Sequence, residues 1–234
     1  MTATVKPKHL RLQAELQTRL ESDVSVVCTG VDGDLGSLWP EEKKAIRGAV
    51  VRRQREFAAG RAAAREAMAQ IGWPAEAIPS SPDRSPVWPA GMVGSIAHNG
   101  HVCVAIAGRR DQAHAIGIDI EEDISLSTDL WVTICTPNEL AIIATLPRSE
   151  RGRWVTRLFC AKEAFYKWQY PQTERMLDFC DVQITLSRTS FNVLPAVFED
   201  SPLLLCERKG RWLTSNGLIL AWLIGRPVSQ MRGE

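Results

Sequence analysis

The sequence predicts an α+β protein built as two lobes, and three observations carry that prediction. Each half of the chain runs a helical pattern first and short alternating strand patterns after it; this order recurs on either side of residue 118; and 234 residues, 45% apolar and 24% charged, supply apolar material for a core in each half. The expected lobes are therefore 1–118 and 119–234, with a site in the cleft between them.

Residues 1–22 read as a polar helix or arm with Leu12, Leu16 and Leu20 at helical spacing, and 24–29 as a short buried strand. A turn at Asp32-Gly33-Asp34 leads to a long helical pattern over 40–70, with Ile46, Val50, Phe57, Ala64 and Met68 as its apolar side. Residues 72–91, rich in proline, predict an extended connection. Strands are expected at 92–97, 102–107 and 115–120. Thr136-Pro137-Asn138-Glu139 resembles a helix start, and 151–168 a longer helix. Four further strands are expected at 182–186, 196–198, 203–207 and 218–223.

Composition excludes several classes of function. Twenty-eight Lys and Arg against 27 Asp and Glu leave a formal charge of +1, so nothing in the total seeks nucleic acid. The longest apolar stretch, 218–224, is far short of the roughly 20 residues that span a bilayer. No apolar signal core follows the N-terminus, so a cytoplasmic protein is expected. Six scattered cysteines without a C-x-x-C pair, and four histidines without ligand spacing, predict neither a disulfide framework nor zinc.

Two constellations carry chemistry. In Gly117-Ile118-Asp119-Ile120-Glu121, read as a strand, Ile118 and Ile120 face a core while Asp119 and Glu121 share the other side. Two carboxylates that close repel, and a hard divalent cation with oxygen ligands relieves them; the plainer alternative is a strand end running into water. The second is Phe159-Cys160-Ala161-Lys162-Glu163-Ala164-Phe165-Tyr166-Lys167. At about 100° per residue, Trp154, Leu158, Ala161 and Phe165 form one stripe, with Glu163 opposite and Lys167 one turn later. The plainer alternative is an exposed Glu163–Lys167 pair of about 0.3–0.5 kcal/mol.

Together these blocks resemble the paired signature of the Sfp-type 4′-phosphopantetheinyl transferases. Arg53-Gln-Arg-Glu-Phe-Ala-Ala-Gly-Arg61 resembles the arginine-bearing helix of that family's siderophore and actinobacterial branch, and Trp88-Pro-Ala-Gly-Met-Val-Gly-Ser-Ile-Ala-His98 its strand ending in histidine. The resemblance spans residues 53 to about 185 in order. Ala97 departs from it where many members have serine, as does Phe159 where tryptophan is common.

What the resemblance implies is specific. The fold would be a pseudo-twofold pair of α/β lobes, each with a small antiparallel sheet and a long helix, with coenzyme A between them. Asp119, Glu121 and Glu163 would bind Mg²⁺, or Mn²⁺ in its place, on the pyrophosphate. Arg53 and Arg61 would take the 3′-phosphate, and His98, Lys162 and Lys167 would lie near the pyrophosphate, with Arg84 a further contact. Glu163 and Lys167 would be the catalytic pair, Glu163 taking the serine proton or orienting the water that does. The reaction would move phosphopantetheine from coenzyme A to a serine of an apo acyl or peptidyl carrier protein, serving siderophore, polyketide or peptide synthesis and releasing 3′,5′-ADP. A monomer acting without nucleic acid or membrane is expected. Residues 166–180 would form the carrier's docking region, with Lys167 and Arg175 steering it. Arg47, Arg52, Arg55 and Arg65 read as a solvated face. The alternatives are a non-catalytic coenzyme A or nucleotide-binding module and a nucleic-acid binder, against which the complete acidic trio speaks.

Overall fold

The computed structural model describes residues 7–195 and 208–226. The chain divides into two units between Ile116 and Gly117, and Gly225 and Arg226 count with the first. Among the described residues it has six α-helices and two small antiparallel sheets, an α+β fold.

The first unit contains α1 (Lys8–Gln17), β1 (Val24–Gly30), α2 (Pro40–Lys43), α3 (Val51–Gln70), β2 (Met92–His98) and β3 (Val102–Arg109). Its sheet has the order β1-β3-β2, with Val27 and Ile96 both opposite Ala105. The strand patterns predict these elements to within about two residues, because alternation with a buried face is a strong signal. The helical pattern over 40–70 is not one helix. It breaks after Ile46, where Gly48 takes φ +79°, a conformation that any L side chain strains. Beyond the break α3 lays an alanine-rich face on the sheet, and Ala63, Ala64, Ala67 and Met68 pack with Val27, Met92, Ala105 and Ala107. β1 is a sheet edge, and α1 satisfies part of it: Cys28 N donates to Gln13 Oε1 at 2.9 Å and Val26 N to Gln17 Oε1 at 3.4 Å.

The second unit takes over within β4 (Ala115–Glu122) and continues through α4 (Trp131–Ile134), α5 (Pro137–Thr145), α6 (Arg148–Thr173), β5 (Val182–Leu186), β6 (Ser190–Pro195), β7 (Arg208–Ser215) and β8 (Leu218–Gly225). The sheet order is β4-β8-β7-β6-β5. Thr136 caps α5 as its motif predicts, its Oγ1 accepting from Glu139 N while Glu139 Oε2 accepts from Thr136 N. α6 is longer than the 151–168 pattern and ends where Pro171 removes a donor and Glu174 turns left-handed at φ 54°. It is buried on most of its circumference, so the Leu158/Ala161/Phe165 stripe is only part of its contact surface. β6 and β7 fall outside the expected strands; those expected at 196–198 and 203–207, like Cys206, lie outside the described residues. The five described cysteines are free thiols, and no described helix is long and apolar enough to cross a membrane.

Candidate active site

In the second unit, β4 and α6 meet at backbone contact. A β-carbon on Gly117 would come within 2.0 Å of Ala164 O and 2.6 Å of Trp168 N, so the strand can approach the helix there only as glycine. Alternation then turns the next residues on that side, Asp119 and Glu121, toward α6. Asp119 is 5% exposed. Its Oδ1 accepts from Lys167 Nζ at 2.6 Å, and its Oδ2 is buried with no hydrogen-bond partner. Lys167 thus pairs across to the strand, which overturns the exposed-helix-pair alternative.

Three carboxylates crowd this one ammonium. Burial, and then Asp119, push Glu121 up to about 7, against the pull of Lys167. Burial also raises Glu163, again opposed by Lys167 and reinforced by Asp119. Burial alone would lower Lys167, yet Asp119 and then Glu163 outweigh it, and its pKa rises. The acidic strand end does not run into water. It sits half-buried in a cluster that carries excess negative charge.

The first unit holds the expected basic groups. Arg53 Nη1 donates to His98 Nε2 at 2.5 Å, which makes that imidazole nitrogen the acceptor, and Arg53 lies 3.7 Å from Glu56. Val50, Arg52, Arg53, Glu56, His98, Asn99 and Gly100 line an open depression of about 410 Å³. Burial would raise Glu56, but the hydrogen bond from Arg52 at 2.9 Å, with the charges of Arg52 and Arg53, holds it low, so it remains an anion that presets both arginines. Arg61 is buried at 5% exposure, donates Nη2 to Ser80 Oγ at 2.9 Å and stacks over Phe57 at 4.2 Å. Its Nε has no partner, and burial lowers its pKa to about 10, which leaves it cationic at neutral pH. Arg53 and Arg61 are held by different groups. Arg84 is an exposed turn residue at φ 73°.

Two expectations are corrected by burial. Lys162, expected near a pyrophosphate, is 0% exposed, and its Nζ donates to Glu139 Oε2 at 2.8 Å, Ile134 O at 2.8 Å and Phe179 O at 2.7 Å. All three ammonium donors are spent inside the unit, so Lys162 has none to offer a ligand. Arg65, expected on a solvated face, donates to buried Glu42 Oε1 at 2.6 Å and to Ser37 O at 2.9 Å. Glu42 and Glu139, which accept from these two cations, were not among the expected site residues. Each follows a proline by two positions, and that helix-start pattern was their visible signal.

Comparison with known proteins follows the same division. A model of the 4′-phosphopantetheinyl transferase N-terminal domain matches residues 41–108, and one of the 4′-phosphopantetheinyl transferase superfamily matches 115–216. The chain is 36% identical over 195 residues to 4′-phosphopantetheinyl transferase PptT of Mycobacterium tuberculosis, covering 79% of this chain and 85% of that one. It is 34% identical to 4′-phosphopantetheinyl transferase Npt of Nocardia iowensis, over 77% and 86% of the two chains. With enterobactin synthase component D of Escherichia coli it shares 35% identity over 63% of this chain and 68% of the relative. Family models over both units, and relatives matched over most of their length, establish that the chain belongs to the 4′-phosphopantetheinyl transferase superfamily and is a transferase of that group.

Proposed function

We propose that this transferase takes 4′-phosphopantetheine from coenzyme A, uses Mg²⁺ or Mn²⁺, and delivers the group to a serine hydroxyl of an apo acyl or peptidyl carrier domain. One observation carries the reading: Asp119, Glu121 and Glu163 share the single ammonium of Lys167, and one buried oxygen of Asp119 has no partner. Excess negative charge around an orphaned oxygen fits a hard dication. Among the described residues no three Asp, Glu, His or Cys side chains form a ready-made cage, so the ion would need substrate phosphate and water to complete its shell. Asp119, Glu121 and Glu163 would hold it. When bound, it neutralises the pyrophosphate and eases departure of the leaving group.

The chain's own groups do the rest. The serine oxygen bonds to the phosphorus that carries pantetheine, the bond from that phosphorus to the bridging oxygen breaks, and the electron pair leaves on 3′,5′-ADP. Glu163 takes the serine proton, directly or through a water that it orients. Lys167 fixes Asp119 and offsets part of the cluster's charge. Arg53, which His98 helps to orient, and Arg61 supply donors for the 3′-phosphate. Purified protein mixed with coenzyme A and an apo carrier should add one phosphopantetheine to the carrier serine with Mg²⁺ and none with EDTA. An unchanged carrier mass in the presence of the ion would remove this reading.

A further inference from the structure

The two buried ion pairs follow one pattern. In the first unit, Arg65 donates to Glu42, 23 residues before it, and to Ser37 O, 28 residues before it. In the second, Lys162 donates to Glu139, 23 residues before it, and to Ile134 O, 28 residues before it. Each glutamate also caps its own short helix, Trp39 N donating to Glu42 Oε2 at 2.9 Å and Thr136 N to Glu139 Oε2 at 2.7 Å. With the other oxygen each glutamate accepts a backbone N–H from the segment beyond the long helix, Ile78 N at 2.9 Å and Ile184 N at 2.6 Å. Adding 97 to the number of Ser37, Pro40, Glu42 or Arg65 gives Ile134, Pro137, Glu139 or Lys162. The strand orders agree as well: β1-β3-β2 runs parallel to the β4-β8-β7 part of the larger sheet in succession of first strand, last strand and its hairpin partner.

Carried along the long helices, the same step lays Glu66 on Glu163 and Gln70 on Lys167. Gln70 accepts from Ser25 on β1 and Lys167 meets Asp119 on β4, the strand partners being offset by 94 instead of 97 residues. The first unit therefore keeps the buried pair while lacking the aspartate and lysine of the second. A buried pair present where that aspartate and lysine are absent does not depend on them.

We propose that Glu42–Arg65 and Glu139–Lys162 are one bolt in two copies, each setting the rotation and height of its own long helix so that the helix presents its ligand-handling residues. The inference rests on the function proposed above. Lys162 is adjacent to Glu163 and five residues before Lys167, so fixing its direction fixes theirs at about 100° per residue. Arg65 is one turn beyond Arg61 and three beyond Arg53. The second bolt is then a positioning device for the chemical step, and the first a positioning device for coenzyme A binding.

The test is a crossed pair of variants in the full chain, Lys162→Met and Arg65→Met, measured for kcat, KM for coenzyme A with an apo carrier, calorimetric affinity for coenzyme A, and melting temperature. Both should melt earlier. Lys162→Met should lose roughly ten- to a hundredfold in kcat while affinity for coenzyme A stays within about twofold, since misplacement of a reacting group by an ångström costs on that order. Arg65→Met should show the converse, weaker coenzyme A binding with kcat retained. Loss of affinity in Lys162→Met would make it a ligand contact and overturn the proposal, as would variants that lose only stability. Should either variant fail to fold, Glu139→Gln and Glu42→Gln keep the shape and should show the same crossed losses at smaller size, their absence counting equally against the bolts. A parent that leaves the carrier unmodified sinks the proposed function and this inference with it; a parent that works, with losses uncrossed, sinks this inference alone.

Discussion

Ser25 with Gln70 in the first unit and Asp119 with Lys167 in the second each tie the opening strand of a sheet to a long helix. The first pair is a neutral hydrogen bond between a strand and a long helix. The second is an ion pair at 2.6 Å with a further buried carboxylate oxygen left over and two more carboxylates around it. A neutral pair needs nothing more. A charged one in a half-buried setting is costly unless further charge satisfies it, and that unmet need is what the cation proposed for the second unit would answer.

The largest way to sharpen this contrast is Glu163→Gln. It leaves the bolt at Lys162 untouched, so the fold should hold, while turnover falls at least about 10²-fold if Glu163 is the base. Near-parent turnover would take Glu163 out of the mechanism. Next comes Arg61→Ala, for which a charge-assisted contact of roughly 1.5–3 kcal/mol predicts a ten- to more than hundredfold loss in kcat/KM with coenzyme A and little change with dephospho-coenzyme A. Equal losses with both donors would contradict the 3′-phosphate assignment. Asp119→Ala should raise the Mg²⁺ concentration required for half-maximal rate, and an unchanged ion dependence would return the strand end to a structural role.

The smallest effect concerns pH. Glu121 titrates near 7 in the folded chain against an ordinary value of 4.5, so between those limits the native state holds the proton that the unfolded state has lost. Ion-free protein should therefore lose stability as pH rises from about 4.5 through 7, and Glu121→Gln should flatten that slope in thermal melts. A parent and variant with the same pH dependence would break the claim.

Much of this contrast is legible in the sequence, and the illegible part has physical causes. Asp119 and Glu121 are visible because alternation on a strand is a local rule, and Gly117 beside them marks the close approach to α6. Lys162 misleads because a lysine in a helical motif reads as a surface cation. Only the fold reveals three oxygen acceptors converging on it from Glu139, Ile134 and Phe179. β7, with Arg208, Lys209 and Arg211 among its eight residues, hides its buried positions Gly210 and Leu213 behind charge. The internal repeat is hard to see because it survives in few identities, chiefly a proline, a glutamate two residues on and a cation 23 residues later.

The most direct measurement converts the second unit's pair into the first unit's. The double variant Asp119→Ser with Lys167→Gln exchanges an ion pair for the neutral pair that the same scaffold carries at Ser25 and Gln70. Its melting temperature and its transfer of phosphopantetheine to an apo carrier should be measured beside the parent's. The account predicts a chain that folds like the parent and has lost transfer by at least about 10²-fold. Retained transfer would place the chemistry elsewhere, and a chain that no longer folds would show that the two pairs are not equivalent parts of one scaffold.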